Sequence, residues 1–366
     1  MDEDLRIMIA GGGTGGHLYP ALAIGAEIAR RKPDAIVHYV GSKFGLEARV
    51  LPERGLSHTL LPITGLQRSI SPRSLIRNLL LLFRIPLALF KVKTLCKSMN
   101  PNVIIGTGGY ASALPIKVGI KQKIPTVIQE QNSYPGLTTR LFAETATAVY
   151  AGTSDTEAYV DKEIEVTGNP VRNEIRNGSR MAGSELFQLE SDRKTVFLFG
   201  GSQGSVPLNR AIRPVLPTLK DQGIQLLWQT GPNNYEALKE LESDMVRIKP
   251  YIKEMAHAYA LSDIVVARAG ALTLSELSVC GKPSILLPLP GAAADHQTKN
   301  AETMVRAGAA IMIQQANLTT AILQETIIGL LDDADKLTAM GAQALSLGKP
   351  KATEEIVEKI FKLARC

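Results

Sequence analysis

The chain holds five histidines, His17, His38, His58, His257 and His296, and only His17 directly follows a glycine turn at the end of an apolar, strand-like run. An imidazole there is suited to taking a proton near neutral pH. A helix beginning at the turn disfavours the charged ring and keeps it available as a base. The alternative role for His17 is to satisfy loop backbone, and His38, inside a strand pattern, is read as structural. The turn before His17 is Gly11-Gly12-Gly13-Thr14-Gly15-Gly16, after Arg6 to Ala10. A second, Gly200-Gly201-Ser202-Gln203-Gly204-Ser205, follows Thr195 to Phe199. Such turns expose backbone N–H groups that hold phosphate, and Ser202 adds a hydroxyl. They also serve plain tight turns and close helix–sheet approach. A third, Gly106-Thr107-Gly108-Gly109-Tyr110, suggests a second phosphate- or sugar-bearing substrate.

Arg268-Ala269-Gly270-Ala271-Leu272-Thr273-Leu274-Ser275-Glu276 follows a buried strand and reads as a turn feeding a helix. Its first residues, Ala271 to Thr273, offer a helix N-terminus to a diphosphate. Glu276, one turn further in, suits two vicinal ribose hydroxyls; its alternative is a helix carboxylate near the positive dipole end. Gln297 and Asn300 are candidate sugar partners or helix-surface polars. Gln129-Glu130-Gln131-Asn132-Ser133 is a polar cluster at another strand end, with Glu130 a second candidate base. Arg172, near the domain junction, reaches substrate or pins the linker. The first turn matches G-x-G-x-x-G, but the second strand ends at Val40-Gly41-Ser42-Lys43 without the carboxylate a dinucleotide ribose needs. The phosphate-loop lysine pattern is missing too, so NAD and ATP chemistry lose ground. No Asp-x-Asp metal pair stands out, and no metal or cofactor is expected.

The elements that must carry these residues form two βα series. Ile36–Val40, Val103–Gly106, Thr126–Ile128, Ala146–Tyr150 and Ile164–Val166 join Arg6–Ala10 as strands of the first, with a helix over Pro20–Ala29. Asn177 to Lys194 is polar and reads as a linker. Val196–Phe199, Ile224–Trp228, Val246–Lys249, Ile264–Ala267, Ser284–Leu287 and Ala309–Ile313 form the second. The expected domains are 1–176, joined by a returning helix in 351–366, and 177–350. They are expected to face each other across a cleft.

Length and composition fit this reading: 366 residues, 45% hydrophobic, leave room for two cores. Cys96, Cys280 and Cys366 have no metal or redox spacing, and no signal peptide is expected from the acidic residues 2–4 and the strand that follows them. The net charge of +6 is unevenly spread: no acid lies between Glu53 and Glu130, an interval with eleven Lys or Arg. Within it runs the apolar stretch Leu75–Phe90, broken by Arg77 and Arg84, in which Pro86 is expected to end or kink a helix. It carries too much charge for a membrane span. It fits an element that lies on an anionic membrane surface, or a helix packed on the sheet with its arginines in water. Few aromatics accompany the charge, so nucleic acid is disfavoured.

Taken together and in order, Gly12–His17, Gly106–Tyr110, Glu130-Gln131-Asn132, Gly168-Asn169-Pro170-Val171-Arg172, Gly200–Gly204 and Arg268–Glu276 resemble the MurG family, glycosyltransferase family 28. The resemblance covers nearly the whole chain, although Gln129 stands where many members have histidine. It implies the GT-B fold, two Rossmann-like doubly wound parallel-sheet domains facing a cleft. It implies an inverting transfer of GlcNAc from UDP-GlcNAc to the 4-hydroxyl of lipid I, giving lipid II in peptidoglycan synthesis. Donor contacts carried over are Thr14, Gly15, Gly16, Asn132, Arg172, Ser202, Ile252 (to uracil, through its backbone), Ala271, Leu272, Thr273, Leu274, Ser275, Glu276 (ribose) and Gln297 (GlcNAc). His17 or Glu130 takes the acceptor proton. Gly13, Gly106, Thr107, Gly108 and Gly109 face the acceptor diphosphate, and closure over both substrates excludes water. Lipid I puts the protein peripherally on the cytoplasmic face of the cell membrane, where a wall-synthesis complex is a further partner. Leu79–Phe83 and Ile85–Phe90 then touch lipid, with Arg73, Arg77, Arg84, Lys91 and Lys93 at head groups. Another GT-B glycosyltransferase, a UDP-GlcNAc epimerase and a nucleotide-sugar-binding regulator are the alternatives.

Overall fold

The computed structural model describes residues 5–66, 71–292 and 295–364. It divides into two units, Met1–Val171 with Lys351–Cys366, and Arg172–Pro350. In the first unit the strands are β1 (Arg6–Ala10), β2 (Ile36–Ser42), β3 (His58–Leu61), β4 (Val103–Gly106), β5 (Thr126–Glu130), β6 (Ala148–Ala151) and β7 (Glu165–Val166). They form one seven-stranded sheet in the order β3-β2-β1-β4-β5-β6-β7, with every pairing parallel. The Val/Ile-rich strands are short apolar runs because helices cover both faces. Side chains alternate between the faces with period two. Ile7, Ile9, Val103 and Ile105 pack under Ile24, Ile28, Ile356 and Ile360. Met8, Ala10, Ile104 and Ile128 pack under Ala88, Val92 and Ile116. The helix Ala352–Ala364 thus completes the first face of this unit, and the Thr353 hydroxyl donates to the Val171 carbonyl at 2.9 Å.

The second unit holds β8 (Thr195–Phe199), β9 (Gln225–Gln229), β10 (Val246–Lys249), β11 (Ile264–Ala267), β12 (Ser284–Leu286) and β13 (Ala310–Met312). Their order is β10-β9-β8-β11-β12-β13, again parallel throughout. Val196, Leu198, Leu226, Trp228, Ile264 and Val266 build its core against Leu208, Ile212, Leu323 and Ile327. The buried Trp228 indole N–H donates to Asn209 Oδ1 at 3.0 Å. Both sheets are therefore doubly wound and Rossmann-like. In each, chain order reverses beside the first strand, between β1 and β4 and between β8 and β11. Ligand sites in open α/β sheets form beyond the carboxyl ends of strands at that point.

Three expectations change and one strand is added. The first helix spans Gly15–Arg31 rather than beginning at Pro20, so the glycine turn feeds directly into it. The stretch Asn177–Lys194 is no mere linker. It contains the helix Arg180–Phe187, capped when the Ser179 hydroxyl accepts from Ala182 N, and it buries Phe187 and Leu189. Gly183 lets that helix approach the His257 carbonyl, which a Cβ would meet at 2.7 Å. Of the two outcomes expected at Pro86, an end or a kink, the helix does not end there but runs Pro72–Met99. Leu81 before the proline and Ala88, Val92 and Cys96 after it are all buried, so packing carries the helix past the missing hydrogen bond. Finally, β3 joins the sheet edge although His58 and Thr59 gave no apolar run.

Candidate functional site

In the first unit Ala10 of β1 pairs with Gly106 of β4, so the turns leaving the two strands emerge side by side. His17 is the third residue of the helix that the first turn starts. The β4 turn passes flat against its ring because Gly108 and Gly109 take φ +95° and +73°. A Cβ on Gly108 would lie 2.6 Å from His17 Nδ1, and one on Gly109 would lie 2.2 Å from the Gly12 carbonyl. The Thr107 hydroxyl donates to the His17 carbonyl at 2.8 Å.

The ring's tautomer is set by Gln131. The Gln131 amide nitrogen donates to the carbonyls of Thr107 and Gln129, each at 2.9 Å. That fixes the amide, so its oxygen faces His17 Nδ1 at 3.0 Å. An amide oxygen only accepts, hence Nδ1 carries a hydrogen, and in the neutral ring Nε2 is the nitrogen with the lone pair. Asn169 holds this run from below: its side chain accepts from Gln129 Nε2 at 3.1 Å and donates to the Gln131 carbonyl at 3.0 Å.

Glu130 is committed elsewhere. One oxygen accepts from Asn132 N at 3.0 Å and Asn132 Nδ2 at 3.1 Å. The other accepts from Gly136 N at 2.9 Å and Thr139 Oγ1 at 2.5 Å. Four donors on a buried carboxylate make it the organiser of the 130–139 loop. Gly106, Thr107 and Gly108 are buried. The Gly13 N–H is taken as well, by both oxygens of Glu47, at 3.1 and 2.9 Å. Thr14 and Gly16 are exposed, and Gly15 and Gly109 are half-buried.

A histidine facing a carboxylate titrates higher than one facing an amide. Gln131→Glu should therefore move the acid limb of the pH–rate profile to higher pH, by about one unit or more. A base works deprotonated, and the added negative charge holds its proton to higher pH. An unmoved limb, followed by initial rates from pH 5 to 9, would contradict the Gln131–His17 pairing.

In the second unit Phe199 of β8 pairs with Ala267 of β11, again bringing two turns together. Gly204, at φ +74°, sits where a Cβ would be 1.9 Å from the Thr230 carbonyl. Gln229 ties this turn to the 250s loop: its Nε2 donates to Gly201 O at 2.9 Å and its Oε1 accepts from Ile252 N at 2.8 Å. The Ile252 N–H is thus used internally. Buried Arg268 clamps the same turn, donating to Ser205 Oγ at 2.8 Å, Gln315 Oε1 at 2.6 Å and the Leu287 and Pro288 carbonyls at 3.1 and 3.0 Å. Ser202 is half-buried in the turn.

The helix Ala271–Val279 starts as expected, after extended Gly270. Ala271, Leu272 and Thr273 form its first turn, Leu274 is buried, and the Ser275 hydroxyl donates to the Ala271 carbonyl at 3.0 Å. One Glu276 oxygen accepts from the Tyr259 hydroxyl at 2.9 Å, and the other faces Arg172 Nη2 at 3.4 Å. Burial pushes the Glu276 carboxyl above its ordinary range, while Arg172 and Tyr259 pull it back. Burial and the adjacent carboxylate push the Tyr259 phenol well up. Gln297 Oε1 accepts from Leu289 N at 3.0 Å, and buried Asn300 donates to the Ala269 carbonyl at 3.3 Å. Tyr259, Gln229 and Glu47 carry no motif signal and were not anticipated, and Arg268, which opens the Arg268–Glu276 motif, had no role assigned to it.

The helix Pro72–Met99 presents a continuous apolar face to solvent, with Leu79 59%, Leu82 65%, Phe83 74% and Phe90 68% exposed. Leu137 and Leu141 are also exposed. Arg84 lies over the Phe44 ring, 5.0 Å from its centroid, Lys91 is half-buried and Lys93 exposed. The side chains of Arg73 and Arg77 lie outside the described residues. Among the described residues no helix is long and apolar enough to cross a membrane.

Two family models match the chain: the glycosyltransferase family 28 N-terminal domain over residues 7–151 and the family 28 C-terminal domain over residues 195–356. The UDP-N-acetylglucosamine–N-acetylmuramyl-(pentapeptide) pyrophosphoryl-undecaprenol N-acetylglucosamine transferase of Christiangramia forsetii is 38% identical over 366 residues, covering 99% of each chain. That of Chlorobaculum parvum is 40% identical over 365 residues, covering 99% of this chain and all of the relative. The crystal structure of Acinetobacter baumannii MurG is similar with a TM-score of 0.77 at 28% identity, over 98% of this chain and 99% of that one.

Proposed function

The chain belongs to glycosyltransferase family 28, and from that premise we propose that it moves GlcNAc from UDP-GlcNAc to the 4-hydroxyl of the MurNAc sugar of lipid I, forming lipid II for peptidoglycan. It is a hexosyltransferase. The observation that carries the mechanism is the Gln131–His17 pair, which leaves Nε2 of a fixed imidazole as a proton acceptor at the switch point of the first unit. The acceptor O4–H gives its proton to Nε2 as O4 attacks the anomeric carbon. The bond from that carbon to the β-phosphate oxygen breaks, configuration inverts from α to β, and UDP leaves with the bonding pair. The second unit holds the donor. Glu276 takes the ribose hydroxyls in exchange for Tyr259 and Arg172, and the Ile252 carbonyl meets uracil. The first-turn amides of Ala271 to Thr273, Ser202 and Arg172 take up the charge on the departing diphosphate, and Gln297 holds the sugar. In the first unit the amides of Gly15, Gly16 and Gly109 serve the acceptor diphosphate. The direct test is UDP release with and without a lipid I analogue: transfer requires release to depend on acceptor.

Lipid I carries a polyprenyl tail, and the apolar face of Pro72–Met99 lies against the membrane that holds it, on the cytoplasmic side. A contiguous exposed apolar face flanked by lysines fits a lipid surface. Leu79→Ser with Phe83→Ser should release the protein from anionic phospholipid vesicles in a sedimentation assay and leave UDP-GlcNAc binding unchanged. Undiminished sedimentation would contradict this surface.

A further inference from the structure

Glu47 is completely buried, at the start of the helix Glu47–Glu53. Its Oε1 accepts from Ser42 N at 2.7 Å and Gly13 N at 3.1 Å, and its Oε2 accepts from Gly13 N at 2.9 Å. Three glycines, one in the first turn and two on the stretch from β2 to this helix, make room for it. A Cβ would fall 2.2 Å from its side chain at Gly12, 2.3 Å at Gly41 and 2.4 Å at Gly45. Gly13 itself stands at φ +90°. A buried negative group on the amides of a glycine turn is what such turns otherwise offer to a phosphate. An unpaired carboxylate would not stay buried here; these amide donors are what make the arrangement tenable.

We propose that Glu47 is a positioning residue for the transfer reaction: an internal anion that fills the amide nest of the first glycine turn, fixes Gly13 to Gly16 and thereby sets the His17 ring, while barring a substrate phosphate from that spot. The inference rests on His17 being the base. The turn lies between the Glu47 carboxylate and the helix start that carries the imidazole, so loss of the anion frees the turn and tilts the ring. A misplacement of about 1 Å costs roughly 10²-fold in rate.

The test uses the full chain with Glu47→Gly, UDP-GlcNAc and a lipid I analogue. The expected result is a kcat lower by about tenfold to a hundredfold with UDP-GlcNAc affinity unchanged. Sodium formate or acetate should then restore kcat in a saturable way that sodium chloride at equal ionic strength does not. A parent-like kcat, or no more recovery with formate and acetate than with chloride, overturns the proposal. Where Glu47→Gly loses cooperative thermal unfolding, Glu47→Gln decides. Its amide keeps the shape but turns N–H groups toward a backbone N–H, so the same selective loss of kcat is expected, and parent-like kcat refutes the role. His17→Ala measured alongside separates the two ideas. Parent-like kcat there removes the base assignment and the proposal with it, whereas an inactive His17→Ala beside parent-like Glu47 variants removes only the proposal.

Discussion

His17→Ala lowers kcat for transfer by about 10²–10⁴-fold, the usual contribution of a positioned general base, and leaves UDP-GlcNAc affinity unchanged. The reason is local. His17 has its Nδ1 hydrogen occupied by Gln131 and its ring held by Gly108 and Gly109. Glu130, the other candidate, already receives four donors. In the proposed arrangement the donor is held by groups of the second unit, so its binding should not sense the change. Single-turnover rates with a lipid I analogue, and calorimetric titration with UDP-GlcNAc, separate the two effects. A variant that transfers at the parent rate would move the base elsewhere.

The second large effect is on the donor. Glu276→Ala should weaken UDP-GlcNAc binding by about 10- to 150-fold, since hydrogen bonds to a charged group contribute roughly 1.5–3 kcal/mol. The change also strands the Tyr259 hydroxyl, which is fully buried and loses its acceptor, so thermal stability falls too. Glu276→Gln separates these. It still accepts from Tyr259, but it lacks the charge that strengthens bonds to ribose. Burial raises the Glu276 carboxyl from its ordinary value of 4.5. The ionised form is the one that accepts from two ribose hydroxyls. Donor affinity should therefore decline on acidification at a pH above the ordinary carboxylate range. Titration across pH 4 to 8 checks the direction, and Glu276→Gln should flatten it. Unaltered affinity in Glu276→Ala would take the donor away from this helix.

The central strands of both sheets were legible because burial on two faces leaves only Val/Ile-rich runs between glycine turns. Edge strand β3 was not, since His38 is satisfied by Ser57 and Thr59 across the β2–β3 edge and polar residues suit that position. The helix Arg180–Phe187 hides its small apolar face, Gly183 and Phe187, among polar residues. In the proposed site, His17 and Glu276 stand out in the sequence because each follows a turn at a strand end. Their supports could not. Glu47 meets Gly13 across 34 positions and Arg268 meets Ser205 across 63, and neither spacing leaves a local pattern. Gln131 was visible as one polar residue in a cluster, but its hold on a histidine tautomer depends on two carbonyls pinning its amide. Gly106 packs against Ile116 and the Thr107 hydroxyl donates to the His17 carbonyl, contacts that the shared glycine turn does not announce.

The most direct test of the transfer chemistry is the product. Incubation with UDP-GlcNAc and a lipid I analogue, followed by mass spectrometry and linkage analysis, should give acceptor heavier by one N-acetylhexosamine in β-1,4 linkage, with one UDP released per product. UDP released at the same rate without acceptor, or an isomerised sugar nucleotide with the acceptor untouched, would contradict it.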